Sequence, residues 1–323
     1  MRRRAFMGLA LLPAAAWAAS VRYPDVTPNP GLVFPRDHGA HPEFRVEWWY
    51  VTGWLEDRLG FQVTFFRARP EEASANPSRF NPKQVLFAHA ALSDPARGRL
   101  LHDQRAARTG FSLAQAELGR TGVWIDDWRL ELKGERYEAR IAARDFSLEL
   151  DFLARQLVLQ GERGFSRKGH RPGEASYYYS RPHLEVRGRL DGKDVKGSAW
   201  LDHEWSSAYM APEAGGWDWY GINLADGGSL MAFQMRDKKG GLHYGTPFKA
   251  LRTWKSPRTG VEYPVEMAVN DLVLKPLMDD QELDSRASTG TIYWEGAVRA
   301  FRGASEVGKG YLELTGYWRP MKL

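Results

Sequence analysis

The stretch Trp128-Arg129-Leu130-Glu131-Leu132-Lys133-Gly134-Glu135-Arg136-Tyr137-Glu138-Ala139-Arg140-Ile141-Ala142-Ala143-Arg144-Asp145-Phe146-Ser147-Leu148-Glu149-Leu150-Asp151-Phe152 decides the fold class. Apolar residues recur at every second position: Trp128, Leu130 and Leu132, then Tyr137, Ala139, Ile141 and Ala143 after the Gly134 turn, then Phe146, Leu148, Leu150 and Phe152. A period of two sends alternate side chains to opposite faces of an extended chain, so the run reads as consecutive hairpin strands with one buried face each.

The same pattern extends outward. Leu184, Val186, Gly188 and Leu190 run into Asp191-Gly192, a dipeptide suited to the positive φ angles of a tight hairpin turn, and Val195, Gly197, Ala199 and Leu201 form the return strand. Turns are readable at Ala225-Asp226-Gly227-Gly228 and Lys239-Gly240-Gly241, and strands at Ile292 to Phe301 and Tyr311 to Tyr317 close the chain. Only the segment around Phe111 to Leu118 has helical spacing. The expected fold class is all-β and antiparallel; periodicity alone does not choose between a sandwich and a closed barrel. Residues 161–173 hold four Gly, a Pro and five Lys, Arg or His, which is linker composition and divides the chain into two halves of similar size.

Composition narrows the class further. The 323 residues are 43% hydrophobic, with 13 Trp, 13 Tyr and 15 Phe and no cysteine, enough apolar mass for one or two cores and too much for a disordered or disulfide-stapled chain. Arg2, Arg3 and Arg4 precede an apolar run, Ala5 to Ala19, with Ala16 and Ala18 at the positions of a small-residue cleavage site. Residues 1–18 therefore read as an export signal, Sec or twin-arginine, and the expected location is the periplasm or outside the cell. Without that segment 42 Lys and Arg face 40 Asp and Glu, interspersed, so no nucleic-acid partner is expected.

The residues that could carry chemistry are aromatic and acidic. Glu47-Trp48-Trp49-Tyr50, Tyr177-Tyr178-Tyr179 and Trp217-Asp218-Trp219-Tyr220 supply rings to both faces of a strand, either as core packing or as the lining of an elongated apolar ligand site. In Trp200-Leu201-Asp202-His203-Glu204-Trp205, alternation puts Trp200, Asp202 and Glu204 on one face and Leu201, His203 and Trp205 on the other. Two carboxyls beside a Trp suit acid–base work, because burial against a ring keeps a carboxyl protonated; a solvated salt bridge is the plainer alternative. The chain has no G-x-S-x-G elbow, Gly164-Phe165-Ser166-Arg167-Lys168 lacking the last Gly, and no H-E-x-x-H, Walker A or dinucleotide fingerprint. His38-Gly39-Ala40-His41 sits in a Pro-flanked loop, and His89, His183 and His203 read as structural hydrogen-bonders. No metal or cofactor is expected.

Phe34-Pro35-Arg36-Asp37-His38-Gly39-Ala40-His41-Pro42 leading into Glu47-Trp48-Trp49-Tyr50-Val51-Thr52-Gly53 resembles the secreted lipocalin-like family that contains AttH-like proteins and the acyclic carotenoid 1,2-hydratases. So do Ser176 to Ser180, Trp200 to Trp205, Gly216-Trp217-Asp218-Trp219, Gln281 to Arg286, Tyr293-Trp294-Glu295-Gly296 and Gly310 to Tyr317. The resemblance implies two lipocalin-like barrels side by side, an N-terminal one over 22–165 and a C-terminal one over 174–323. It also implies a hydrophobic ligand, a lipid, isoprenoid or carotenoid, held in one barrel. For the hydratases it implies Asp202 as proton donor to an isoprenoid double bond, with Tyr177, Tyr178, Tyr179 and Trp200 facing the cation. The ligand site would include Trp48, Trp49, Tyr178, His203, Glu204, Trp205, Trp217, Asp218 and Trp219. The chain departs from the carotenoid enzymes at Tyr177 and Tyr179, where they carry His and Trp, and at Glu204-Trp205-Ser206, where they carry Asn-Trp-Gly. Three functions are therefore weighed: a periplasmic binder of an apolar molecule, a hydratase-type lyase, and a lipid-handling accessory of an inner-membrane ABC transporter.

Overall fold

The computed structural model describes residues 21–29, 31–71 and 81–321; the expected export segment lies outside them. The first sheet comprises β1 (Val46–Leu55), β2 (Leu59–Ala68), β3 (Val85–Ser93), β4 (Leu101–Arg108), β5 (Ala114–Ala116), β6 (Gly122–Ile125), β7 (Trp128–Lys133), β8 (Arg136–Ala142), β9 (Ser147–Leu153), β10 (Val158–Leu159), β11 (Phe165–Arg167), β12 (Ala175–Leu190) and β13 (Lys193–Ser206). The second comprises β14 (Ala214–Leu224), β15 (Ser229–Asp237), β16 (Leu242–Gly245), β17 (Lys249–Lys255), β18 (Glu262–Val269), β19 (Leu272–Pro276), β20 (Glu282–Asp284), β21 (Ile292–Arg302) and β22 (Ser305–Leu314). Every strand pairing is antiparallel.

The first sheet runs β4-β3-β2-β1-β13-β12-β9-β8-β7-β6-β5 and curls until its ends nearly meet, where Arg105 of β4 donates to the Ile125 carbonyl of β6 at 3.2 Å and covers the Trp128 ring. The second runs β16-β15-β14-β22-β21-β19-β18-β17 and forms a half-barrel. The fold is thus all-β, two lipocalin-like barrels side by side. Alternation worked as expected in the stretch that decides it: Trp128, Leu130, Tyr137, Ala139, Leu148, Leu150 and Phe152 are wholly buried in the first barrel. Asp191 and Gly192, both at positive φ (51° and 74°), turn β12 into β13.

Two local expectations are corrected. The helical spacing at 111–118 is a tight turn into β5, because Phe111 and Ser112 take φ of 54° and 61°, outside helical backbone. The Gly-rich segment 161–173 is not the boundary between the halves. It folds back as β11 against β12, and the β12–β13 hairpin pairs with β9 on one side and β1 on the other, completing the first barrel. The chain crosses to the second sheet only after Ser206, so the expected C-terminal unit over 174–323 gives its first two long strands to the other sheet. Loop composition could not reveal this, since a hairpin joins whichever sheet has free edges for it.

The two sheets meet through their outer faces. Tyr50, Trp54 and Trp200 of the first pack on Trp219, Ala297 and Tyr311 of the second, and Ala91 and Leu100 pack on Leu283 and Tyr293. The backbones approach so closely that a Cβ on Gly60 would lie 2.6 Å from Ala297 Cβ. Trp54 Nε1 donates across the junction to the Gly310 carbonyl at 3.0 Å.

Candidate functional site

Between these two packed patches the sheets part around a cavity of about 290 Å³. The first sheet contributes Trp48 and Tyr50 of β1, Phe66 of β2, Phe87 and His89 of β3 and the carboxyls of β13; the second contributes Trp217 and Trp219 of β14, Tyr293 and Glu313. The aromatic walls brace one another edge to face: Tyr209 on Trp48 and Trp217 at 4.8 and 5.5 Å, and Tyr50 on Trp219 at 5.3 Å. The interior of the first barrel, by contrast, is packed: Trp49, Phe61, Phe65, Trp128 and Tyr137 fill it with no exposure. The cavity that Asp202 lines thus lies between the two sheets, not inside the first barrel.

Asp202 reaches this space because strand register fixes its neighbours. It lies opposite Ser180 on β12 and Tyr50 on β1. Its Oδ1 accepts from Ser180 Oγ at 2.5 Å and Trp200 Nε1 at 2.6 Å, and its Oδ2 accepts from Tyr178 Oη at 2.7 Å. Tyr178 Oη in turn accepts from Trp219 Nε1 of the second sheet at 3.1 Å. Burial drives the Asp202 pKa up to about 7; the three donors oppose that rise and the nearby Glu204 reinforces it. Asp202 is consequently a carboxyl that can hold or release a proton near neutrality.

Glu204, two residues on, is differently placed. Its Oε1 lies 2.7 Å from Lys168 Nζ and accepts from Ser176 Oγ. Lys168 is itself buried among the rings of Tyr178, Tyr209 and Phe233. Burial still raises the Glu204 pKa, against the pull of the Lys168 charge. From the second sheet Glu313 joins the wall, its Oε2 accepting from Trp217 Nε1 at 2.9 Å and its pKa pushed up to about 7 by burial. His89, at the rim, is bonded to Tyr293 Oη and Ser288 Oγ, both at 2.8 Å, and burial drops its pKa to about 3, so it is neutral.

Of the residues singled out from sequence, the structure brings Trp48, Tyr178, Trp200, Asp202, Glu204, Trp217 and Trp219 together around this cavity. Tyr177, Tyr179, Trp49, His203 and Trp205 point the other way, into the first barrel, because they alternate along their strands with the cavity-facing Tyr178, Trp48, Tyr50, Asp202 and Glu204. Asp218 points into the second barrel, where Arg236 Nε at 3.0 Å and Gln234 Nε2 at 2.6 Å hold it. Sequence reasoning missed Glu313, Tyr209 and Lys168. Glu313 alternates with the core residues Leu312 and Leu314, a signal for an outward face, but nothing local says that a second sheet covers that face.

Behind the same strands lies a second polar group. Glu47 Oε1 accepts from His41 Nδ1 at 2.8 Å and His203 Nε2 at 2.9 Å, and Oε2 accepts from Arg67 Nε at 2.7 Å. The hydrogen bonds assign one direction throughout: Arg181 Nη2 to His38 Nε2 at 3.2 Å, His38 Nδ1 to Tyr179 Oη at 3.0 Å, Tyr179 Oη to His203 Nδ1 at 3.1 Å, and His203 Nε2 to Glu47. Burial lowers the His203 and His38 pKa values to about 4, leaving both neutral. For His41 burial is outweighed by Glu47 and Asp37, which lift it to about 9. His41, Glu47 and His203 have donor atoms within 4.8 Å of one another and could hold a metal by count. Each already has a partner, however, and an ion would face the Arg67 guanidinium and a protonated His41, so the chemistry of the set is that of a buried ion-pair network.

No curated protein matches the chain. Among solved structures, the AttH-designated protein of Nitrosomonas europaea is 49% identical with a TM-score of 0.84, covering 91% of this chain and 99% of that one. Kievitone hydratase from Nectria haematococca is 13% identical with a TM-score of 0.59, covering 92% and 97%, a likeness of fold. The family model described as AttH-like matches residues 25–317. With nearly its whole length matched and half its residues shared with one member, this chain belongs to the AttH-like family.

Proposed function

We propose that the protein takes a compact apolar molecule, or one end of a longer one, into the cavity between its sheets, and that Asp202 protonates a double bond there so that water adds. The carrying observation is a carboxyl walled in by rings, held by three neutral donors, ion-paired with no cation among the described residues, and pushed up to a pKa of about 7. The cavity is at the small end of the roughly 300–1,000 Å³ that encloses drug-sized ligands. A long polyene would therefore enter end-on, which narrows the elongated ligand that the sequence suggested.

The chemistry follows from the contacts. Proton transfer from Asp202 to an alkene carbon leaves a cation on its neighbour, which the faces of Trp48 and Trp219 stabilise. It also leaves a carboxylate that already has three donors aimed at it, from Ser180, Trp200 and Tyr178, so the developing charge needs no rearrangement. Water then captures the cation. That a hydratase is built on the same fold is consistent with this reading. The leader-like segment at 1–18 supports export as the setting.

The test uses monoterpene, sesquiterpene and diterpene alcohols. Quenching of tryptophan fluorescence reads binding, and mass spectrometry reads a product heavier by one water. Asp202→Asn is expected to keep binding and to lose product by about 100-fold or more. Undiminished turnover in that variant would remove Asp202 from the chemistry; absence of binding in the wild type would remove the ligand class.

A further inference from the structure

A second carboxyl faces Asp202 from the opposite wall. On β22, Leu312 and Leu314 belong to the core of the second sheet, so Tyr311 and Glu313 project toward the first. Glu313 is in direct cross-strand register with Glu295 of β21. Like charges directly opposite on one sheet face repel, and among the described residues no Lys, Arg or His forms an ion pair with either. The two differ in surroundings. Glu295 is 2% exposed, and neither of its oxygens makes a hydrogen bond, although the Tyr50 and Tyr293 hydroxyls face it. Glu313 is partly exposed, lines the cavity, and has its Oε2 bound by Trp217 Nε1.

We infer that Glu313 is the second reacting group, the base that takes a proton from the attacking water while Asp202 supplies a proton to the alkene; this rests on the hydration reading above. Only the Tyr50 and Tyr293 hydroxyls oppose the cost of burying a carboxylate in the position of Glu295, and burial outweighs them, so Glu295 carries the proton of the pair and Glu313, bonded by Trp217 and lining the cavity, is the member that ionises. Burial and the charges of Asp202, Glu204 and Asp218 bring Glu313 to about 7, the same range as Asp202, where one can be protonated while the other is not. The step balances. The Asp202 O–H bond breaks as a C–H bond forms on one alkene carbon. A C–O bond forms from water to the other carbon, and the water's proton passes to a Glu313 oxygen. Alkene and water become an alcohol, and one proton returning from Glu313 to Asp202 through cavity water resets both.

Two isotopes separate the roles. The intact protein is incubated with citronellol in deuterium oxide enriched in heavy oxygen. Reversible protonation by Asp202 followed by loss of a proton from carbon puts deuterium into recovered citronellol, and completed hydration puts heavy oxygen into the alcohol product. The expected result is that Glu313→Gln lowers the ratio of oxygen incorporated to deuterium exchanged at least about tenfold. Glu295→Gln, which keeps a neutral group in the buried slot, should hold the wild-type ratio. An unchanged ratio in Glu313→Gln overturns the assignment while leaving Asp202 as acid, as does loss of both signals together. A ratio that falls equally in Glu295→Gln assigns the base to the wrong carboxyl. A wild type that takes up neither isotope overturns the hydration reading itself.

Discussion

The two faces of β1, β12 and β13 carry acids in opposite states, although the residues concerned are sequence neighbours. On the barrel side, Glu47 is wholly buried, yet Arg67, His41 and His203 hold its pKa well below the usual range against the cost of burial. On the cavity side, Asp202 is buried to a similar degree, has only neutral donors, and is pushed up to about 7. Burial is nearly equal in the two places; the difference is whether a cation is supplied. At Glu47, where a guanidinium and a protonated imidazole are supplied, the acid is a fixed charge that holds structure; at Asp202, where the donors are neutral, it becomes a group whose proton is available for chemistry.

The comparison breaks most severely on the paired side. Arg67→Met strands the Glu47 charge in the barrel core and is expected to destabilise the protein by about 3–5 kcal/mol, read from the midpoint of urea unfolding at pH 7. A change below about 1 kcal/mol would mean that His41 alone suffices and that the network is not the structural element described here.

On the unpaired side the expectation reverses in sign. A carboxyl whose folded pKa is raised contributes stability below its unfolded pKa near 4 and loses it as pH rises through about 7. Asp202→Asn removes that titration. Between pH 5 and pH 8 the wild type should therefore lose about 2–3 kcal/mol relative to the variant, whatever offset the exchanged hydrogen bonds introduce at both pH values. Parallel pH profiles for the two proteins would show that Asp202 is ionised throughout, and the acid role would go with them.

The smallest effect sharpens the contrast. Tyr178→Phe deletes one donor to the Asp202 carboxylate and is expected to raise the Asp202 pKa by about one further unit, seen as a shift of the same pH profile to higher pH. A shift to lower pH would mean that the hydroxyl serves the protonated form.

The pattern of the strands was plain in the chain because burial of one face writes itself as alternation: Leu148 and Leu150 could be assigned to a core without seeing it. The split of Trp200, Asp202 and Glu204 from Leu201, His203 and Trp205 was legible for the same reason. Its consequence for the tyrosines was not. The resemblance groups Tyr177, Tyr178 and Tyr179 together with Asp202, whereas register pairs Asp202 with Ser180 and sends only Tyr178, the middle residue, to its side.

What the sequence determined by itself is thus an antiparallel all-β chain and the facing of each strand, since both depend on interactions one and two residues apart. Only the tertiary structure decided that β12 and β13 close the first barrel, that the cavity lies between the sheets, and that Glu313 meets Asp202 across it. Those facts depend on which outer faces pack together, and an outer face that will be covered by another sheet differs from one left in water only by a few rings and acids whose partners lie as many as 256 residues away.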